Sequence, residues 1–439
     1  MNNATSRPEA PSSGAAAGGD PVGGARRSGI AGLISEPNFR RLWIAGSFSG
    51  TVRWLETLAV AVFVFDRTGD AFIVALMMFF RMLPMFLFGA VAGVVADRID
   101  RKTMLVGGFL ILAANSIIMG VLALTDVLEI WHLAIGIFIS GIVWSSEFPV
   151  RRTMMGEVAG MDRVGLAMGL DSATVNATRM LGPTLGGVLL QYLDLEGVFF
   201  VGAGFYLAAF VTAIPVSYVQ GASPTKGLSF IGNLRSGFGY IRSRRVVVGI
   251  LAVTIMVNIF GFPYVAMVPV IGKDELGLSP VLIGVLASAE GLGALITALT
   301  IATRAGPLKY TRIYLYGSFL FLVSVLLFSL SDWFALSLPI IFIGGVGIAG
   351  FGTMQSTLVM MATPPEMRSR VMGALSVSIG TGPLGILHVG LLALLWGAPM
   401  AVMVIALEGL IVLSIAALIW PELRRRTDVR PDVSGLNRD

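Results

Sequence analysis

Apolar residues run through this chain in segments of about twenty, separated by short polar connections. A helix of that length crosses the ~30 Å hydrocarbon core of a bilayer, because each helical residue adds about 1.5 Å. The pattern predicts an all-α membrane protein with twelve transmembrane helices. Their expected spans are 42–65, 72–96, 103–124, 132–150, 165–190, 198–218, 246–271, 279–302, 313–330, 334–361, 371–396 and 399–420.

The connections differ strongly in positive charge. Of the 31 lysines and arginines, 26 lie before the first span, after the last one, or in alternate connections. The opposite connections hold only Arg67 and Lys273. Positive residues accumulate on the cytoplasmic side of membrane proteins. Both termini are therefore predicted to be cytoplasmic, in a multi-pass protein of the cell (inner) membrane.

The longest internal connection is basic and divides the spans into six and six. A short repeat supports this division, because residues 182–187 of the fifth span resemble residues 382–385 of the eleventh. Related halves around a midplane cavity are how many secondary transporters are built. The predicted organisation is a disordered cytoplasmic tail at 1–35, a six-helix bundle at 36–219, an inter-bundle loop at 220–245, a second bundle at 246–420 and a tail at 421–439.

Composition excludes several functional classes. Charged residues make up 13% of the chain, against about 25% in soluble proteins. With no cysteine and two histidines, neither a thiol nucleophile nor a multi-histidine metal site is expected. Neither a phosphate-binding Gly-x-x-x-x-Gly-Lys-Ser/Thr nor a hydrolase motif occurs. We expect no enzyme, metal, cofactor or nucleic-acid partner; the net charge of +5 reflects topology.

One motif points to a family. Residues 93–102 read Gly-Val-Val-Ala-Asp-Arg-Ile-Asp-Arg-Lys and follow the second span. They resemble the loop signature Gly-x-x-x-Asp-Arg-x-Gly-Arg-Lys/Arg of the major facilitator superfamily, with Asp100 in place of the usual glycine. The resemblance implies that a gating motif latches the cytoplasmic side: Gly93, Asp97, Arg98, Arg101 and Lys102. The alternative is that its basic residues only anchor the topology.

Further stretches resemble one branch of that superfamily, which contains the enterobactin exporter, macrolide efflux proteins and transmembrane secretion effectors. The stretches are 82–84, 148–152, 179–183 and 363–368. This resemblance implies proton-driven export of a bulky organic molecule by alternating access, with the proton gradient as energy source. The fourth span, 132–150, lacks the mid-helix arginine that a conventional drug exporter would carry there.

Ionisable residues inside the spans are the main candidates for a mechanism, because each costs about 2.5–3.5 kcal/mol to insert and needs a partner or a function. Glu147 and Asp171 are predicted to exchange a proton for an ion pair with arginine; structural ion pairs are the alternative. Arg53 and Glu56 share a helix face, either as a self-neutralising pair or with Glu56 facing a cavity. The proton-coupling candidates are Glu56, Glu147, Asp171, Arg179 and Glu290.

Other intramembrane residues are predicted to contact substrate or to shape the helices. The substrate-cavity candidates are Arg53, Arg81, Asn258, Tyr264 and Gln355. Arg81 has snorkelling or pairing as its alternative role, and His388 is expected to be a packed, hydrogen-bonded side chain. Glycine and proline in the fifth span either form a hinge or pack closely against a partner helix: Gly182, Pro183, Gly186 and Gly187.

The predicted function is secondary active transport, most concretely efflux of a drug, siderophore or secondary metabolite. The expected partners are a small-molecule substrate, protons and the lipid bilayer, and the protein is expected to be a monomer. Two alternatives stay open at this point. One is an importer or facilitator of a small organic solute, and the other is a non-transporting sensor or scaffold on the same fold.

Overall fold

The computed structural model describes residues 29–160, 162–218, 239–304, 309–364 and 367–424. This part of the chain is helical throughout its length apart from short connections. The helices are α1 Ile30–Ile34, α2 Pro37–Thr68, α3 Ala71–Arg98, α4 Arg101–Leu124, α5 Ile130–Ala159, α6 Val164–Ala213, α7 Arg245–Phe260, α8 Tyr264–Asp274, α9 Pro280–Arg304, α10 Tyr310–Ser329, α11 Phe334–Ala362, α12 Arg368–Ile379, α13 Gly382–Trp396 and α14 Ala398–Ile419.

The predicted all-α membrane architecture is confirmed. Ten helical segments among the described residues are long and apolar enough to cross a membrane. The 50-residue helix α6 joins two helices across a kink at Asp194, whose φ is 51°, and α3 contributes a shorter apolar stretch, Ala71–Leu87. The count of twelve spans and the cytoplasmic termini stay predictions.

Two of the predicted spans are broken in the structure. The span predicted at 246–271 divides into α7 and α8, with Pro263 as the N-cap of α8. The span predicted at 371–396 divides into α12 and α13, with Pro383 in the first turn of α13. Proline lacks the N–H that a continuing helix needs, so a helix readily restarts at it. By contrast α6 continues through Pro183, so the repeated Gly-Pro sequences have different local structures.

The predicted ends of the chain need a correction. The tail predicted at 1–35 contains α1, whose Leu33 is fully buried. At the other end, Leu423 is fully buried in a short 3₁₀ turn within the tail predicted at 421–439. A buried leucine stabilises such a short segment through the apolar area it removes from solvent, so the disorder predicted for 1–35 does not extend to residues 30–34. Residues 1–28, 219–238 and 425–439 lie outside the described part.

Each half packs around its own helices, and the halves meet chiefly along two helix pairs. In the first half α6 packs against α2 and α4; in the second half α11 packs against α9 and α10. Across the boundary α6 packs against α9, and α3 against α13. A Cβ built at Gly187 would overlap the carbonyl of Pro280, and one at Gly284 would overlap that of Pro183. Glycine is needed at both positions because the backbones of α6 and α9 touch.

Candidate functional site

A cavity lies between the halves and is lined by residues of both. Most of its wall is apolar, and Met77, Met78, Trp54 and Tyr264 give it adaptable and flat surfaces. The charged residues in the wall are Glu56, Arg81, Arg179 and Glu290. A large apolar cavity with a few convergent polar groups is typical of a small-molecule site.

An ion pair joins the two halves in the wall of this cavity. Nη2 of Arg179 on α6 lies 2.8 Å from Oε1 of Glu290 on α9. The Arg179 guanidinium also faces the rings of Trp54 and Phe262, at 5.2 and 5.9 Å from their centroids. Both charges are largely buried, so each strongly disfavours loss of the other. Two predicted proton-coupling candidates are thus partners across the boundary between halves.

Glu56 and Arg81 face the cavity from the first half. Glu56 accepts a hydrogen bond of 2.8 Å from the hydroxyl of Ser116. It forms no ion pair with Arg53, so the self-neutralising pair is not seen among the described contacts. Arg81 donates to the carbonyl of Arg53 at 3.5 Å, a weak bond. The cavity wall therefore contains a carboxylate and a guanidinium that form no ion pair in the described part of the chain.

A smaller cavity, lined mostly by polar and charged residues, lies inside the first half beside the central one. Arg53 lines it and lies over the ring of Trp144, 5.0 Å from the centroid. Arg81 and Glu147 line it as well, together with Tyr206. Arg53 is therefore placed in the interior of the first half, whereas Arg81 reaches both cavities.

Arg151 is the centre of a buried charge cluster. It lies 3.0 Å from Glu147 and 2.6 Å from Asp171, and Asp171 also pairs with Arg152 at 2.7 Å. The exposed fractions of Arg151 and Asp171 are 4% and 1%. Buried charges are stable only when paired in this way. Glu147 and Asp171, both predicted coupling residues, thus share one arginine.

The position of Arg151 corrects the sequence-based boundary of the fourth span. We predicted the span to end at 150, with Arg151 and Arg152 in a cytoplasmic connection. Helix α5 continues to Ala159 and contains both arginines. The fourth span therefore does carry a buried arginine. Hydropathy could not show it, because charged residues lower the mean hydropathy even where ion pairs make their burial possible.

Two cavity candidates of the second half lie elsewhere. Asn258 is buried within α7, where its amide donates to the carbonyl of Thr254 at 2.8 Å. Gln355 on α11 does not line the described cavities, and its Oε1 is buried without a hydrogen-bond partner. Tyr264 does line the central cavity. Gly182 and Gly186, which were predicted to form a hinge or to pack closely, contact Trp54 and Leu55 of α2.

The gating motif is described only in part. The side chains of Gly93, Asp97 and Arg98 lie outside the described residues, and Lys102 is at the start of α4. Asp100 caps α4, accepting from the Thr103 N–H at 2.8 Å, which explains the loss of glycine.

Arg101 pairs with Glu157 on α5 at 2.9 Å. It also donates to the hydroxyl of Tyr218, which in turn donates to Glu157. Partial burial and this carboxylate raise the pKa of the Tyr218 hydroxyl above its ordinary value. The basic end of the motif is therefore tied to its own half.

At the opposite end of the bundle another ion pair links the halves. Nζ of Lys273, at the end of α8, lies 3.0 Å from Asp66, at the end of α2. We call this the far end and the end holding Arg101 the near end. Helices α6 and α9 touch from Gly187 and Pro280 as far as the Arg179–Glu290 ion pair. These contacts close the cavity at the far end.

The architecture defines the class of the molecule, and the comparisons with known proteins then define its family. It is a multi-pass membrane protein with a largely apolar cavity between two helical halves. Residues 28–431 match the family described as "Transmembrane secretion effector". The chain belongs to that family, so the predicted resemblance is confirmed; its relatives are transporters rather than enzymes.

Named relatives cover most of the chain. An "Uncharacterized MFS-type transporter YfiS" of Bacillus subtilis is 26% identical, covering 80% of this chain and 85% of its own. "Macrolide efflux protein A" of Streptococcus pyogenes is 22% identical, covering 76% and 83%. "Enterobactin exporter EntS" of Shigella flexneri is 26% identical, covering 92% and 96%. Several relatives are thus efflux proteins.

Solved structures show the same fold at lower identity. The nucleoside transporter NupG has a TM-score of 0.67 at 14% identity, covering 87% of this chain and 99% of its own. The peptide transporter POT in complex with sulfate has a TM-score of 0.68 at 12% identity, covering 92% and 97%. At these identities the likeness concerns the fold alone.

Proposed function

We propose that this protein is a proton-driven exporter that moves a bulky amphipathic organic molecule across the cell membrane by alternating access. The observation that carries the proposal is the central cavity, in which an apolar wall is interrupted by two carboxylates and two guanidiniums. The relatives named as efflux proteins favour export over import.

The lining favours a substrate with a broad apolar body and few charges. Methionine and aromatic side chains adapt to different apolar shapes, and Trp54 and Tyr264 offer flat faces. Glu56 can bind a cationic group and Arg81 an anionic one, because neither forms an ion pair with a described residue. Drugs, siderophores and other secondary metabolites have this combination of features.

The ion pair between the halves supplies a means of coupling. While Glu290 is ionised, Arg179 holds α6 against α9 and the far end stays closed. A proton on Glu290 removes the attraction, and the cost of leaving Arg179 unpaired then favours separation of the halves. Glu56, Glu147 and Asp171 are further groups whose charge state can change within the first half. Proton binding and opening are linked in this scheme.

We further propose twelve spans with both termini in the cytoplasm. The kinked helix α6 supplies two of them and α3 another, in addition to the other segments of membrane length. The distribution of lysine and arginine places the near end, with Arg101, in the cytoplasm. The far end, which contacts between the halves close, then faces the outside of the cell.

The test is substrate-induced proton movement in inverted membrane vesicles. Respiration acidifies the lumen, a panel of dyes, macrolides and siderophores is added, and proton release is recorded. We expect release with at least one compound in the wild type and its loss in E290Q and E56Q. The matched control is D332N, an exposed loop carboxylate, which keeps the response.

The other functions predict different results. Substrate movement that dissipates no proton gradient contradicts proton coupling and indicates a facilitator. Accumulation in the opposite direction indicates an importer. An inserted protein that binds a compound but moves none contradicts transport and indicates a sensor.

A further inference from the structure

A hydrogen-bonded pair of ionisable residues lies on the outer surface of the second half. Nε2 of His388 on α13 is 2.8 Å from Oε2 of Glu408 on α14. Their side chains are 37% and 39% exposed. The other intramembrane carboxylates, Glu56, Glu147, Asp171 and Glu290, are each exposed by 6% or less. This pair is the exception in the described part of the chain.

The pair lies near the middle of the membrane. His388 is about 12 Å along the helix from Trp396, and Glu408 is about 15 Å from Ala398. These two ends meet at Gly397, so the side chains lie at nearly the same depth. A ~30 Å hydrocarbon core places both close to its centre.

The surface around the pair is apolar and faces lipid. Leu384 and Leu391 are exposed by 52% and 51% on the His388 stripe of α13. Leu407 and Ile411 are exposed by 41% and 60% beside Glu408 on α14. Hydrocarbon offers no hydrogen bonds, so a polar pair facing lipid here is unfavourable unless another protein surface covers it.

We propose that this face, formed by α13 and α14 around His388 and Glu408, binds a second copy of the same chain. With a hydrogen on Nδ1 of His388, the two atoms outside this hydrogen bond are self-complementary, since Nδ1–H donates and Oε1 of Glu408 accepts. Two copies in one membrane are related by a two-fold axis along the membrane normal. Because the two side chains are adjacent at one depth, that axis places His388 of one protomer opposite the partner's Glu408, twice.

A second copy fits this face better than an unrelated helix. The patch offers one donor and one acceptor side by side. A two-fold axis places the donor of each copy opposite the acceptor of the other, so no further residue is required. The apolar flanks then pack against their own equivalents, as in interfaces between membrane helices. The proposal departs from the monomer predicted from the sequence.

The experiment uses the absence of cysteine from the chain. I411C places one thiol at the proposed interface, and I118C, at an exposed position of α4 in the first half, is the matched control. Disulfide formation between protomers is followed in native membranes under mild oxidation. We expect I411C to cross-link at least about tenfold faster than I118C.

A second variant tests the pair itself. H388L/E408L in the I411C chain keeps the face apolar and compatible with lipid, and we expect its cross-linking to fall to the I118C rate. Equal rates for I411C and I118C, or a rate unchanged by H388L/E408L, would overturn the proposal. Cross-linking of I411C to a different polypeptide instead of its own kind would overturn it too.

Discussion

The two halves of this molecule bury different interiors. Among its described residues, the first half encloses five buried charged side chains: Glu56, Arg81, Glu147, Arg151 and Asp171. In the described second half, only Glu290 is both charged and buried, and it pairs with Arg179 of the first. The interior of the second half is instead aromatic and close-packed: Tyr264, Tyr314, Phe321, Phe328 and Phe351.

This difference assigns different physical roles to related bundles. A charge that changes partner during transport needs other charges nearby, and the first half supplies them around Arg151. In the proposed mechanism, the second half moves as an apolar body that presents one carboxylate, Glu290, at the boundary. Fold symmetry therefore does not imply symmetry of chemistry.

The largest effect on stability is expected when a buried charge is removed from the first half. R151M replaces the guanidinium by a shorter, flexible apolar side chain and leaves Glu147 and Asp171 buried without their shared partner. We expect a loss of about 3–5 kcal/mol in the free energy of unfolding, measured by denaturation in detergent micelles. N258L removes a buried polar group of the second half and should cost about 1 kcal/mol. Equal costs would contradict the assignment of roles.

The second prediction concerns the pair between the halves. The cavity-lining substitution T57C gives a reporter thiol in a chain without cysteine. E290Q removes the ion pair, so we expect labelling by a membrane-impermeant reagent from the far end to rise about tenfold. In R179Q/E290Q no buried charge is left unpaired, and the rise should be no larger than in E290Q. Unchanged labelling in E290Q would show that the pair does not close this end.

The third prediction tests backbone contact between α6 and α9. G284A places a methyl group against the carbonyl of Pro183, so we expect a loss of about 1–3 kcal/mol in stability and increased far-end labelling of T57C. G169A is the matched control, because a Cβ there meets nothing within 4 Å. Alanine favours a helix over glycine by up to about 1 kcal/mol, so the control should be slightly stabilised. If G284A were more stable than the wild type, α6 and α9 would not be in backbone contact at this position.

The charged residues of this site could be predicted because an ionisable residue is easily recognised within an otherwise apolar segment. Arg179 and Glu290 stood out in the sequence for that reason, although only the fold shows that they are partners across the boundary. Trp54, Trp144 and Tyr206 were missed, since an aromatic residue in an apolar run gives no contrast. The break near Pro263 was missed too, because hydropathy stays high through it.

The smallest effect is expected in the interior of the second half, where neutral hydrogen bonds replace ion pairs. The Tyr314 hydroxyl donates to the carbonyl of Ile250 at 2.7 Å and lies 2.9 Å from the Thr254 hydroxyl. Y314F removes these bonds but keeps the ring stacked on Phe351, and we expect a loss of about 1 kcal/mol in the free energy of unfolding.

The matched control for Y314F is Y316F on the same helix, where Tyr316 is 55% exposed. The exposed Tyr316 hydroxyl has similar surroundings in the folded and unfolded protein. Its removal should therefore change the free energy of unfolding by less than about 0.5 kcal/mol. A loss of more than about 3 kcal/mol in Y314F would be as large as the loss expected from breaking a buried ion pair. The second half would then depend on its polar groups as strongly as the first, and the contrast between the two interiors would be one of charge alone.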